Sequence, residues 1–582
     1  VLDREDAPRF KNAHEQREFW QTQSTYALIG LTLGQEDDKA KDKAFLDNPE
    51  LARGQDLVRG DERTPTQILL NRLNRQQEQL ARLKNDEIME TILNAATLTY
   101  DPHSNYFAPI QANEVQIQSN LQLEGIGVSI RPDRKNPDYV RIVSLVDGGP
   151  AQKTGQVQAN ALILGVAQDG GTMVDTVGYS TREIVALIRG AKGTSVTIRI
   201  KQPNTPDSSA RTVTIVRDVI KQEDSGVHHR VIEVPYDGDI KRVGVLEIPS
   251  FYLNFTARRS GVGADEYRSV SLDTEKAIKA LNEQNIDGMV VDLRNNPGGS
   301  LDEVARMLGL FIKEGPLVQI RDNKGNVQVF VDRDGGEQLY AGDMAVLINL
   351  GSASASEIFS AAIQDYGRGL VVGSTTTGKG SAQVQRDDLA LGSMTLTQRK
   401  FYRITGGSTQ NKGVVPDVPL VNIYEGIEFG EREYKNPLEW DTITTTPFMA
   451  HGKYSKDLMA SIIASSQARQ QRDPQFKYLT ALNDIRAMDD DKKPADVSID
   501  KRRAKRELIE QKTLAAENAR RQATGEMPFT NWSTYQASMD ALAEERSLMK
   551  ENERPRLPES EAFVIEAATL MFEAKDKKTL VE

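Results

Sequence analysis

No cysteine occurs among the 582 residues. That removes disulfides, a cysteine nucleophile and thiolate metal sites together. Histidine is almost as scarce. None of the five, His14, His103, His228, His229 and His451, has a partner at helical i,i+4 spacing. All five read as surface or structural side chains, and no metal ligand set emerges. An excess of positive charge is also missing: the net charge is −11, and neutralising phosphates needs a basic face, so a nucleic-acid binder is excluded. No apolar run approaches the ~18 residues that span a bilayer. No charged-then-apolar segment opens the chain. Its first residues, Val1-Leu2-Asp3-Arg4, read as the middle of a protein from which a leader has been removed. There is no internal repeat.

What is present is 38% hydrophobic and 27% charged, enough for several packed cores in a globular, helix-rich chain. Residues 1–117 read as a helical domain. Thr64-Pro65-Thr66-Gln67 offers a capping Thr, a proline in the first turn and a Gln three residues on. Ile68, Leu69, Leu73, Leu80, Leu83, Ile92 and Leu93 then recur at roughly helical spacing, as an amphipathic domain requires. Residues 118–220 change to short β-rich runs (Val140–Val143, Ala161–Val166, Val196–Ile200, Thr212–Val216) with one helix, Thr181–Ile188, the texture of a small β-barrel module. In residues 221–430, strand-like runs alternate with helical ones, which predicts parallel pairing with right-handed crossovers. Residues 431–582 are polar, charged and helical. The acidic-then-basic stretch Asp489–Arg506 reads as a solvated helix or linker.

Three turns in the alternating region carry chemistry. The apolar strand at Met344 runs into Gly351-Ser352-Ala353-Ser354-Ala355-Ser356-Glu357, and a helix follows. Small residues there permit a sharp turn above a helix N-terminus, whose free N–H groups and positive dipole end suit a serine nucleophile and an oxyanion. The bland alternative is a serine-rich helix cap. The next strand, Leu370–Gly373, leads to Gly378-Lys379-Gly380-Ser381. A lysine between two glycines beside a core loses water, which lowers its pKa and lets it accept a proton. The text is not taken as a phosphate loop, Gly373 being read as off the required offset. The third turn, Asn295-Asn296-Pro297-Gly298-Gly299, supplies backbone N–H groups. In open α/β sheets such turns gather at the carboxyl ends of parallel strands.

Together these segments resemble the C-terminal processing peptidases, and within them the long tail-specific proteases of the Gram-negative periplasm. The resemblance runs to at least residue 445. It also covers Asp101-Pro-His-Ser-Asn-Tyr106, Gly125-Ile126-Gly127-Val128, Lys400–Arg403 and Gly413–Asp417. It implies Ser354 as nucleophile, the spacing of 25 residues to Lys379 choosing it over Ser352 and Ser356. It further implies Lys379 as general base, Gln383 as the group orienting the lysine, and the N–H groups of Gly299 and Ala355 as the oxyanion hole. Residues 118–220 resemble a PDZ module, with Gly125, Ile126, Gly127 and Val128 as the loop that binds a substrate's terminal carboxylate.

The fold expected is multidomain α+β: a crotonase/Clp-like α/β protease core, an inserted PDZ β-module, and helical N- and C-terminal domains. The expected activity is a serine endopeptidase acting on proteins with apolar C-termini, with no cofactor and no metal. By resemblance it is periplasmic, with an outer-membrane lipoprotein adaptor as a further partner, and the chain begins inside a longer N-terminal domain. Two other readings stay open: an inactive PDZ scaffold, and an acyl-CoA enzyme on the same core. Three departures from the family pattern, Asn160-Ala161, Asn349-Leu350-Gly351 and Thr375–Thr377, bear on substrate preference.

Overall fold

A computed structural model describes residues 8–47, 63–112, 122–221 and 226–579, with short internal breaks. The chain forms two compact units. One holds Val1–Leu83, Gln122–Lys221 and Asp484–Pro555; the other holds Lys84–Leu121, Gln222–Asn483 and Arg556–Glu582. The domain limits at 117, 220 and 430 remain a proposal.

In the first unit, the helix Pro65–Ala81 begins as its sequence predicts. Thr64 Oγ1 accepts from Gln67 N–H, and the Gln67 side chain accepts from Thr64 N–H. Of its apolar stripe only Ile68 is buried; Leu73 and Leu80 are exposed. This helix packs on Ala13–Asp47, and one such contact covers one stripe only. The basic half of Asp489–Arg506 is not a solvated face. It lies in the helix Ile499–Thr524, where Arg502 donates to Tyr26 O, Arg503 pairs with Glu36 and Arg506 donates to Leu33 O. Residues 489–495 fall outside the described residues.

The β-module of this unit has a sheet in the order β1 (Val128–Pro132), β2 (Val140–Leu145), β3 (Leu162–Gln168), β4 (Ser195–Lys201) and β5 (Arg211–Val216), all antiparallel. Helix α1 (Thr181–Ile188) starts where Ser180 caps it and Glu183 returns the bond. Its Ile184 and Ile188 join Ile142, Ile163 and Ile198 in one apolar core. Asn160 takes a left-handed φ of 69°, which asparagine tolerates better than most residues. It thus suits a left-handed turn at this departure from the family pattern.

The second unit is built on a six-stranded sheet. Strand β6 (His228–Tyr236) pairs antiparallel with β7 (Asp239–Glu247). The rest is parallel, in the order β7, β8 (Gly288–Asp292), β9 (Met344–Ile348), β10 (Leu370–Gly373) and β13 (Val418–Pro419). Alternate residues point to opposite faces, and both faces are apolar. Met289, Val291, Val346 and Ile348 meet α2 (Leu301–Gly309) and α3 (Ala355–Tyr366) on one side. Val290, Ala345, Leu347 and Val372 meet Phe563, Ala567 and Met571 of the C-terminal helix α4 (Pro558–Thr579) on the other. Burial on both faces is what a parallel sheet demands. A second sheet contributes the hairpin-like pair β11 (Ser381–Arg386) and β12 (Ser393–Tyr402). No helix among the described residues is long and apolar enough to cross a membrane.

Candidate active site

The three chemical turns converge at the carboxyl ends of β8, β9 and β10. After β9 the chain makes the Ser-rich turn and enters α3 with Ser354 at its N-cap position, φ 55° and ψ −111°. A positive φ at a non-glycine residue costs energy and persists only where its surroundings fix it. Here its neighbours fix it. Ser352 Oγ donates to Leu293 O, and Ser356 Oγ donates to Asn296 O; both side chains are fully buried. Ser354 is half-buried, and its hydroxyl makes no hydrogen bond among the described residues. The three serines that the text leaves equivalent are therefore chemically different: two are tied into the scaffold and one is presented.

Glu357, on the first turn of α3, organises the site, and sequence reasoning missed it. Its signal was present as Ser354-x-x-Glu357, the capping-box spacing. The buried carboxylate accepts four bonds. Oε1 takes Thr376 Oγ1–H at 2.6 Å and Gly378 N–H at 2.8 Å. Oε2 takes Ser354 N–H at 2.8 Å and Lys379 N–H at 2.9 Å. Burial pushes this carboxyl up to about 7, and the bonds it accepts pull it down against that.

Lys379 leaves its loop half-buried. Loss of water pushes its ammonium below the usual lysine range, while the negative charges of Glu431, Glu357 and Asp101 hold it up. Its Nζ makes no hydrogen bond among the described residues, so the Ser354–Lys379 side-chain contact is open here. Catalytic hydrogen bonds are often open before substrate arrives. Gln383, on β11, donates to Ser381 Oγ at 3.0 Å and to Thr397 Oγ1 at 2.9 Å, and makes no bond to Lys379. Gly373 in fact stands at the phosphate-loop offset from Gly378-Lys379. The loop nevertheless has Gly380 where that motif needs a hydroxyl, and it opens strand β11 rather than a helix.

The Gly298-Gly299 turn has room for no side chain. Gly298 has φ 100°, and a Cβ there would meet Ser354 Cβ at 2.8 Å and Ala355 N at 2.9 Å. Gly299 has φ 144°, and its Cβ would collide with Phe251 O. The turn is clamped to the serine loop: Asn349 Oδ1 accepts from Asn295 N–H, and Asn349 Nδ2 donates to Asn295 Oδ1. This is the use of Asn349, one of the departures from the family pattern. The N–H groups of Gly299 and Ala355 have no acceptor among the described residues. Beside these loops a cavity of about 470 Å³ is lined by Leu350, Thr377, Val415, Ile427 and Phe429, among others.

In the β-module, Ile126 is buried in the core, while Val128 and Ile130 are half-buried beside α1. Ile126 O accepts from Ala151 N–H. Gly125 and Gly127 flank it at the head of β1, with Gly127 at φ 73°. Strand β1 is the outer strand of its sheet.

The chain matches the model of peptidase family S41 over residues 242–420, the tail specific protease N-terminal domain over 1–110, a PDZ domain over 114–201, and the C-terminal domain of tail specific protease over 424–576. It is 33% identical to the tail-specific protease of Haemophilus influenzae over 88% of this chain and 69% of that protein. It is 29% identical to the carboxy-terminal-processing protease of Bartonella bacilliformis over 61% of this chain and 75% of that protein. A solved PDZ domain of a carboxy-terminal protease from Vibrio cholerae, in complex with peptide, is 39% identical over 17% of this chain and 97% of its own length, with a TM-score of 0.16. From the family models matched along its length and its 33% identity to a tail-specific protease, the chain belongs to peptidase family S41, the tail-specific and C-terminal processing proteases, and is a serine-type peptidase.

Proposed function

We propose that the protein is a periplasmic endopeptidase that reads the apolar C-terminal tail of a protein substrate with its PDZ module and cuts with Ser354 and Lys379. The observation that carries the catalytic reading is that, among the described residues, Ser354 alone of three clustered serines keeps its hydroxyl unengaged, while the backbone of Lys379 shares a carboxylate oxygen with the backbone of Ser354. In the reaction neutral Lys379 takes the Ser354 proton as Oγ adds to the scissile carbonyl. The resulting oxyanion is stabilised by the N–H groups of Gly299 and Ala355. The lysine proton passes to the leaving amine, the acyl–Oγ ester forms, and water, deprotonated by the same lysine, hydrolyses it. Substrate binding closes the open Ser354–Lys379 contact, with Gln383 turning its carbonyl toward Nζ. The tail adds to the free edge of β1, its carboxylate on the N–H groups of Gly125–Val128 and its last side chain against Val128 and Ile130. The periplasmic location and a lipoprotein adaptor rest on family likeness.

A serine-reactive phosphonate probe, applied with and without an apolar-tailed peptide, tests the reading. The expected result is a single adduct on Ser354, formed faster with peptide present. Labelling of another serine, or none, sinks it.

A further inference from the structure

The loop that carries Lys379 is gripped by groups far away in sequence. Gly380 N–H donates to Gln410 Oε1 at 2.8 Å. Gln410 Nε2 donates to Glu431 Oε1 at 2.8 Å. Glu431 Oε2 meets His103 Nε2 at 2.8 Å. Glu431 N–H donates to Thr377 O, and Asn411 N–H to Gly378 O. Gln410 and Glu431 are both fully buried. A buried carboxylate is costly unless every oxygen is satisfied, and here one oxygen is bound by an amide and the other by an imidazole. Asp101 completes the cluster: it accepts from His103 N–H and from Thr397 Oγ1–H, and Thr397 Oγ1 in turn accepts from Gln383.

We propose that Glu431, suspended between His103 and Gln410, is a positioning residue for Lys379, fixing its loop through Gly380 and setting the charge its ammonium faces. The proposal rests on the reading of Lys379 as the base. The buried Glu431 carboxylate favours the protonated ammonium and so opposes the loss of water that neutralises it. The other charges facing Lys379 are Glu357, whose oxygens are spent on four donors, and Asp101. On the outer side the neighbours are Arg432 and Glu433, which pair with each other, and the Tyr434 ring against His103. The Glu431 carboxylate, held in place by His103 and Gln410, therefore opposes loss of the Lys379 proton and raises the acid limb of the activity profile.

The test is the pH profile of kcat/KM on a peptide substrate, for the full chain and for Glu431→Gln. Glutamine keeps one acceptor for Gln410 and one donor for His103 while losing the charge. The limb is expected to move to lower pH by on the order of one unit, with the plateau retained within a few-fold. His103→Phe leaves the charge without its partner, and its limb is expected to stay put or move to higher pH. A limb unmoved in Glu431→Gln, in protein whose melting curve shows it folded, overturns the proposal. So does a limb that His103→Phe moves as far down as Glu431→Gln does. Lys379→Ala, run alongside, separates the two levels: activity in that variant would sink the base assignment itself, whereas its inactivity with an unmoved Glu431→Gln limb sinks only the present inference. If Glu431→Gln does not fold, Gln410→Ala, which cuts the link from Glu431 to Gly380, replaces it: kcat is expected to fall about tenfold or more with KM little changed, and an unchanged kcat overturns the proposal.

Discussion

Ser354 and Lys379 donate their backbone N–H groups to one and the same oxygen, Glu357 Oε2, at 2.8 and 2.9 Å. Two loops that leave different strands are thus joined by their main chains, whatever their side chains are doing. The placing of the two loops against each other rests on main-chain bonds and not on the Ser354 and Lys379 side chains.

Ser354→Ala is expected to abolish peptide cleavage, a loss on the order of 10⁶ in rate where nucleophile loss is complete, with little change in stability, since its hydroxyl makes no hydrogen bond among the described residues. Ser352→Ala and Ser356→Ala are expected to behave oppositely. Each removes a buried bond to a backbone carbonyl and costs about 1–3 kcal/mol in stability, with activity falling only as the fold loosens. Denaturant midpoints and initial rates on the three variants decide; a Ser352→Ala or Ser356→Ala enzyme that is stable yet inactive would reassign the nucleophile.

With Lys379 as the proposed base, a pH dependence follows. A base must be neutral, and the neutral fraction rises with pH. Activity should therefore be lost as pH falls through the depressed lysine pKa and should reach its plateau below the usual lysine range. Lys379→Arg, always protonated, should be as inactive as Lys379→Ala. Stability carries the same sign. Between the depressed folded pKa and the ordinary unfolded one, the unfolded chain binds more protons, so this group's contribution to stability rises with pH. Lys379→Met should then stabilise more at mildly acidic pH than at alkaline pH. Equal effects at both would contradict a lysine depressed by burial.

Glu357→Gln tests the shared carboxylate. An amide offers one acceptor oxygen where the carboxylate offers two, so some of the four donors lose their partner, at about 1–3 kcal/mol each. Both loops loosen together, and kcat should fall with KM little changed. Unfolding curves and steady-state kinetics check this; wild-type stability and kcat would remove Glu357 from any organising role.

Tail reading separates two residues that the text treats alike. Ile126 is buried in the module's core, so Ile126→Ala should destabilise that module by about 2–5 kcal/mol without altering which tails are preferred. Val128→Asp should leave it folded and weaken binding of tails ending in Ala, Val or Leu. Amidating the tail should weaken binding to the wild type as well. Peptide titrations and thermal melts distinguish these. A preference for apolar tails that survives Val128→Asp and amidation would refute the groove.

Local text settled much of this protein. Small residues between a β-branched run and an amphipathic one dictate a sharp strand-to-helix turn, so the serine turn and α3 were legible, as were the lysine between two glycines, the module's strands, α1 and the Thr64 cap. These depend on neighbours within a few residues, where periodicity and steric freedom decide the outcome. Ser354 was singled out only by the family resemblance and its spacing to Lys379; the local text could not say which serine is presented, because that depends on which carbonyls, Leu293 O and Asn296 O, the tertiary fold brings beside Ser352 and Ser356. Nor was the role legible of the polar C-terminal text, whose last helix lays Phe563 and Met571 on the core sheet although it lies far along the chain from Val290, Ala345, Leu347 and Val372, which it covers. Glu357, Gln410, Glu431 and His103 look like ordinary polar residues in sequence. A buried carboxylate acquires meaning only from the donors that surround it, and those arrive from four separate stretches of chain that folding alone draws together.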